Sequence, residues 1–201
     1  MSLYALKPAF QARLRPLVGR LAASGVTANQ VTVAAAVGSM VVGALPFVIA
    51  SAAVFLLIPI WLAIRMGLNA IDGMLAREHG QKSRLGGFLN EIGDVVSDAA
   101  LYAPFALVPA FGAGLVALVV VLAILTEFAG VLGQATGGTR RYDGPLGKSD
   151  RALVFGALGA WVGISGAMPA WTAVILWAVV ALMVLTTVNR VRASLREQVP
   201  A

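Results

Sequence analysis

The feature that most constrains this chain is where its positive charges fall between its apolar runs. Stretches long enough to cross a bilayer, at about 20 residues each, occupy 31–50, 54–77, 85–108, 114–136, 151–167 and 171–191. Of the 15 Lys and Arg residues, every one except Arg65 falls outside or at the edge of these runs, and always in alternate connections. Lys7, Arg13, Arg15 and Arg20 precede the first run; Arg77, Lys82 and Arg84 join the second to the third. Arg140, Arg141, Lys148 and Arg151 join the fourth to the fifth, and Arg190, Arg192 and Arg196 close the sixth. The intervening connections, near Ser51, Phe111 and Pro169, carry no charge. Positive residues are retained on the cytoplasmic side of a membrane. The sequence therefore predicts an all-α polytopic membrane protein with six transmembrane helices and both termini cytoplasmic. A miscounted helix would scatter the charges over both faces.

The same distribution assigns the net charge of +6 to the cytosol and anionic headgroups rather than to nucleic acid. With 59% apolar and 12% charged residues the composition is far from that of a soluble domain. One domain over 1–201 is expected, with a six-helix bundle at 31–191 and an interfacial segment at 1–25. In that segment Leu3, Leu6, Phe10, Leu14, Leu17 and Leu21 recur at helical spacing, the pattern of an amphipathic helix lying in the membrane interface. The alternative is a solvated basic tail, since Pro8 and Pro16 interrupt a regular helix. Thr27 or Asn29 is the candidate N-cap of the first membrane helix. Because the first apolar run begins late and others follow it, no cleaved leader is expected. The absence of Cys excludes disulfides and thiolate metal sites.

Polar residues concentrate between Asn69 and Asp98. Arg65, Asn69, Asp72 and Ala76 are spaced four, three and four residues apart, which places them on one face of a helix. Asn90, Glu91, Asp94 and Asp98 form a similar face on the next helix. At about 1.5 Å of rise per residue, Asp72 lies about 8 Å inward of Arg77 and Asp94 about 14 Å inward of Leu85. Carboxylates at such depth need compensation. Oxygen ligands without His or Cys suit a hard cation such as Mg²⁺, Mn²⁺ or Ca²⁺; the alternative is pairing with protein cations. Arg65, about 18 Å inward, matches the depth of Asp98, about 20 Å inward, so a structural Arg65–Asp98 ion pair is expected, with Glu127 as another possible partner of Arg65. Lys148 and Arg151, placed where the fifth run enters the bilayer, are candidates to line a cavity and bind phosphate; the alternative is an ordinary topogenic loop. Gly73, Gly86 and Gly87 permit close approach of a helix or of a ligand, and Arg77 at the rim is placed to hold a phosphate.

The stretch Asn69-x2-Asp72-Gly73-x2-Ala76-Arg77-x8-Gly86-x3-Asn90-x3-Asp94 resembles the signature of the CDP-alcohol phosphotransferases, in which the first and third of these positions, like the second and fourth acidic ones, are Asp. All spacings match. Thr27-Ala28-Asn29 is similar to the family's entry to its first membrane helix. The resemblance implies transfer of a phosphate-linked group from a CDP-linked donor such as CDP-diacylglycerol to the hydroxyl of a polar alcohol, with release of CMP, in phospholipid biosynthesis. It also implies a homodimer in a bacterial inner membrane, and one or two Mg²⁺ or Mn²⁺ ions held at Asn69, Asp72, Asn90 and Asp94, with Glu91 as a possible additional ligand. Asp94 takes the place of the general base. Asp72, Gly73, Ala76, Arg77 and Gly86 correspond to residues near the cytidine diphosphate. Arg140, Arg141, Lys148 and Arg151 resemble the cations that hold a phosphorylated acceptor. Asn69 and Asn90 keep a carbonyl oxygen but remove a negative charge each. Three outcomes stay open: Glu91 and Asp98 supply the missing charge, the metal complement is reduced, or the chain binds CDP-lipid without transfer or serves as an assembly subunit.

Overall fold

The computed structural model describes residues 7–197, and its elements among them are helical. Helix α1 spans Lys7–Ala23, α2 Ala28–Val48, α3 Leu57–Glu78 and α4 Arg84–Tyr102. Helix α5 spans Ala113–Ala135, α6 Lys148–Ser165 and α7 Ala173–Arg196. Short 3-10 turns at Ala52–Leu56, Ala103–Leu107 and Ala170–Thr172 lead into α3, out of α4 and into α7. The six apolar runs thus correspond to α2 through α7. Four helical stretches, Ala28–Val48, Ala52–Glu78, Ala113–Ala135 and Ala170–Arg196, are long and apolar enough to cross a membrane. Helix α4 carries the polar face with Asn90, Glu91, Asp94 and Asp98, and α6 opens with Lys148, Asp150 and Arg151. Those charges lower the mean hydropathy of α4 and α6, although both pack within the bundle.

Local chemistry sets the helix starts. Thr27 caps α2: its hydroxyl accepts from the Gln30 N–H (3.2 Å), and the Gln30 side chain accepts from the Thr27 N–H (2.8 Å). This reciprocal pair satisfies two otherwise orphaned donors. Ser83 caps α4 through the Gly86 N–H at 2.9 Å, and the Asp150 carboxylate accepts from the Gly147 N–H at 2.9 Å as α6 begins. Of the residues in the N-terminal pattern, Leu3 and Leu6 lie outside the described residues. Helix α1 runs on through Pro16, and Pro8 falls in its first turn, where the missing N–H costs nothing. Val18 is buried, with Leu14 and Leu21 beside it, against Ile71, Met74 and Leu75 of α3, and Arg15 pairs with Glu78 at 3.1 Å. The segment is thus fastened to α3.

Helix α2 packs against both α3 and α4, α6 lies against α3, and α5 joins α4 to α7. The contact of α2 with α4 is backbone-close: a Cβ added at Gly43 would sit 2.1 Å from the Ala100 carbonyl oxygen. The core sits toward the end of α4 that carries Leu101 and Tyr102. There Tyr102 stacks on Phe155 at 3.9 Å, and Phe105 meets Phe155 edge-on at 5.1 Å. Ile58, Leu62, Val119, Leu176 and Met183 complete this apolar layer. The layer lies next to the buried ions, so the bundle is graded along its axis: an apolar floor, a charged layer containing Asp98, and a polar mouth where α3 ends and α4 begins.

Candidate active site

The mouth is a cavity of about 540 Å³ between α2, α3, α4 and the α3–α4 connection. Asp72, Gly73, Ala76 and Arg77 line it from α3, Gly86 and Asn90 from α4, and Asn29 and Thr32 from α2. Thr32 Oγ1 donates to Asp72 Oδ2 at 2.8 Å. The Arg77 guanidinium folds over Gly73, where an added Cβ would lie 3.0 Å from its nitrogens. A Cβ at Gly86 would meet Asn29 Oδ1 at 2.8 Å. The glycines thus keep both walls low. Gln81 fastens the rim: its side-chain oxygen accepts from the Ala28 N–H at 2.7 Å, and its amide donates to the Val26 carbonyl at 3.4 Å.

One layer further in, carboxylates and cations alternate. Arg65 Nη1 donates to Asp98 Oδ1 at 2.6 Å, while its Nη2 donates to Asp94 Oδ1 at 3.0 Å and to the Asp94 carbonyl at 3.1 Å. The other Asp94 oxygen is held by Lys148 Nζ. Arg151 Nη2 reaches both Asp98 Oδ2 and Glu127 Oε1 at 2.9 Å, and its Nη1 donates to the Thr126 hydroxyl at 3.1 Å. Glu127 also pairs with Arg140 at 3.2 Å and Arg190 at 3.4 Å. Arg140 bonds Glu91 at 2.6 Å and lies over the Tyr142 ring. Arg65, Arg140 and Arg151 each bridge two carboxylates, and charge-assisted bonding of this kind is how buried carboxylates remain satisfied.

The structure therefore separates the residues that sequence spacing grouped together. Asp72, Gly73, Ala76, Arg77, Gly86 and Asn90 share the cavity. Asn69 is half-buried on α3 and does not line that cavity, while Glu91 and Asp94 turn their carboxylates to cations. Among the described residues no group of three or more His, Cys, Asp or Glu side chains is arranged to hold a metal ion. The Asp72 carboxylate and the Asn90 amide do face the cavity, and oxygen donors of this kind suit a hard cation completed by ligand phosphates.

Several expectations differ from the structure. Arg151 was expected at the mouth as a phosphate ligand, yet it is fully buried, because Asp98 and Glu127 draw its guanidinium inward. Glu127 does not reach Arg65; Arg140, Arg151 and Arg190 surround it instead. Arg190, read from sequence as a cytoplasmic flanking charge, is 1% exposed and donates to the Thr126 carbonyl. Its position inside the run 171–191 was the available signal. Arg141 faces away from Glu91, pairing with Glu197 at 3.1 Å. It lines a second cavity of about 720 Å³ with Asn189, Arg192 and Arg196.

The helical bundle thus carries a polar cavity lined from two motif-bearing helices, α3 and α4. Residues 25–185 match the family model of CDP-alcohol phosphatidyltransferases, and the chain belongs to that family. It is 50% identical over 196 residues to the inner membrane protein YnbA of Escherichia coli K12, with 97% of each chain covered. It is 35% identical over 100 residues to an archaetidylinositol phosphate synthase of Pyrococcus horikoshii, covering 48% of this chain and 49% of that one. Its fold is similar to that of the Mycobacterium tuberculosis phosphatidylinositol phosphate synthase solved with CDP-DAG bound (TM-score 0.72, 20% identity, covering 90% of this chain and 92% of that one). The same enzyme in complex with manganese and citrate gives a TM-score of 0.71 at 19% identity, covering 90% and 88%.

Proposed function

We propose that this chain transfers a phosphatidyl-type group from CDP-diacylglycerol, or another CDP-linked donor, to the hydroxyl of a polar, phosphorylated alcohol, releasing CMP. The observation that carries this reading is the joint exposure of Asp72, Gly73, Ala76, Arg77, Gly86 and Asn90 in one cavity, adjoining the layer that holds Asp94. The donor's cytidine diphosphate lies against Gly73, Ala76 and Gly86, and Arg77 pairs with its phosphates. The acceptor oxygen attacks the lipid-linked phosphorus, and the bond from that phosphorus to the bridging oxygen breaks. CMP leaves with the bridging oxygen, and the acceptor proton passes to the Asp94 carboxylate. Arg65 fixes Asp94 for that task through two hydrogen bonds from Nη2, one to its side chain and one to its carbonyl. Asp72 and Asn90, which face the cavity, would hold a Mg²⁺ or Mn²⁺ ion, with Asn69, one turn before Asp72 on α3, as a further oxygen donor, and such an ion would neutralise charge on the leaving group. Arg140 and Lys148, which flank Glu91 and Asp94, are assigned to the phosphate of the acceptor; Arg141, paired with Glu197 at the second cavity, is left out of that set, and Arg151 holds the wall behind it.

In this reading α4 and α6 cross the membrane with the other four helices, and α1 lies in the interface. The chain is one domain over 1–201, a homodimer in a bacterial inner membrane, with both termini cytoplasmic. The name of the Escherichia coli relative and the alternation of basic connections support this placement. The decisive test is CMP release by purified protein given CDP-diacylglycerol and a panel of alcohols, with and without divalent cation. Absence of cation-dependent CMP release across the panel counts against transfer. A second reading, a member that binds CDP-lipid without turnover or serves as an assembly subunit, is favoured by Asn69 and Asn90. It is distinguished by whether Asn69→Asp with Asn90→Asp creates turnover that the unaltered chain lacks.

A further inference from the structure

We infer that this site accepts only one divalent cation, and only together with the nucleotide's phosphates, because Lys148 and the buried arginines already supply the remaining counter-charge. The inference rests on reading the mouth cavity as the site of the cytidine diphosphate.

The carboxylates of the site are already matched by protein cations. Glu91, Asp94, Asp98 and Glu127 pair with Arg65, Arg140, Lys148, Arg151 and Arg190, and Asp72 shares its cavity with Arg77, Lys82 and Arg84, so the site holds no excess of negative charge before a metal arrives. Neither of the nearby carboxylates is available to replace the charges missing at Asn69 and Asn90. Glu91 is engaged by Arg140 at 2.6 Å, and Asp98 by Arg65 at 2.6 Å and Arg151 at 2.9 Å. Asp94 holds Arg65 on one oxygen and Lys148 on the other. Asp72 is the exception: among the described residues its carboxylate has a hydroxyl donor, Thr32, and no ion pair.

A dication entering this set alone adds an uncompensated double charge, which low-dielectric surroundings penalise heavily. A pyrophosphate diester arriving with the dication brings two negative charges and cancels it. Two dications exceed that supply by the two charges that Asp would carry in place of Asn69 and Asn90. Magnesium-type ions commonly bind through one or two carboxylates plus substrate phosphates, which matches Asp72 with the donor. The ammonium of Lys148 thus stands where a second ion would otherwise neutralise Asp94.

The test uses the purified full-length chain, Mn²⁺ as probe and CDP as the nucleotide, with free Mn²⁺ followed by electron paramagnetic resonance. Nucleotide binding is followed separately by calorimetry. Without CDP, no stoichiometric Mn²⁺ uptake is expected; with saturating CDP, uptake of about one ion per chain is expected. The Asn69→Asp, Asn90→Asp double variant is expected to take up Mn²⁺ without CDP. Lys148→Met, which frees one Asp94 oxygen near the surface, is expected to tighten nucleotide-free Mn²⁺ binding by about tenfold or more. Stoichiometric uptake by the unaltered chain without CDP, or two ions with it, overturns the inference while leaving the cavity's assignment intact. Failure to bind CDP under any metal condition overturns both.

Discussion

Asp98 is gripped from two sides: Arg65 reaches one of its carboxylate oxygens at 2.6 Å and Arg151 the other at 2.9 Å, with all three residues almost fully buried. Removing the carboxylate leaves two desolvated guanidiniums facing each other. Loss of one partner of a buried ion pair costs about 3–5 kcal/mol. Asp98→Ala is therefore expected to lower the unfolding midpoint in detergent sharply, and Asp98→Glu to recover part of the loss. An unchanged midpoint for Asp98→Ala would show that this layer is not what holds α3, α4 and α6 together.

Arg77 is expected to act on the donor rather than on stability. Its guanidinium lies over Gly73 at the exposed rim of the cavity and makes no ion pair among the described residues. Arg77→Gln should weaken CDP-diacylglycerol binding by about tenfold, the typical loss of one charge-assisted contact to phosphate. The midpoint of unfolding should not move. Calorimetry and thermal unfolding of the same preparation separate the two effects.

How much of this was legible in the sequence depended on which geometry a residue needed. Arg65 and Asp98 share a depth because each lies a countable number of residues from a charged helix end, and depth along a helix follows from rise alone. Asp72, Gly73, Ala76 and Arg77 share a cavity because a single helix fixes their relative directions. The destinations of Glu127, Arg151 and Arg190 needed the rotation of α5, α6 and α7 about their own axes, which no spacing within one helix encodes. Thr32 was missed for a related reason: a hydroxyl in an apolar run is unremarkable until another helix places a carboxylate beside it. Lys148 was read as a phosphate ligand from its place at the head of α6. Its grip on Asp94 became apparent only when α6 was set against the face of α4.

Packing of α2 on α4 gives an independent prediction. Gly43→Ala places a methyl group 2.1 Å from the Ala100 carbonyl oxygen, a backbone atom that no side-chain rotation can move aside. Overpacking of this kind costs about 1–3 kcal/mol. The variant should unfold at lower temperature and, by displacing α4 from α2, bind donor less tightly. Gly87→Ala, which meets open space, is the control for stability.

Acidification should loosen the α5–α6 connection. The Glu197 carboxylate accepts from the Thr139 backbone N–H at 2.9 Å and its hydroxyl at 3.0 Å, and also faces Arg141. The Thr139 bonds, then Arg141, favour the charged form and hold this carboxyl below its usual range. A depressed folded value means the tether is fully present above the ordinary carboxylate pKa, near about 4.3, and is lost as pH falls through the folded value. Hydrogen-exchange protection around Thr139 should hold down to about pH 4 and fall below it. Glu197→Gln should show the weakened protection already at neutral pH.

The grading of charge along the bundle also has a direction in time. Asp72, Glu91, Asp94 and Asp98 all come from α3 and α4, where Arg65 is the one deep cation, whereas Arg140, Lys148, Arg151 and Arg190 are supplied from residue 140 onward. Chains emerge from the ribosome N-terminal end first, at about 5–20 residues per second. For several seconds Glu91 of the newborn α4 lacks its cation, and Asp94 and Asp98 have Arg65 alone. The final third of the polypeptide thus completes the ion pairing of helices made before it.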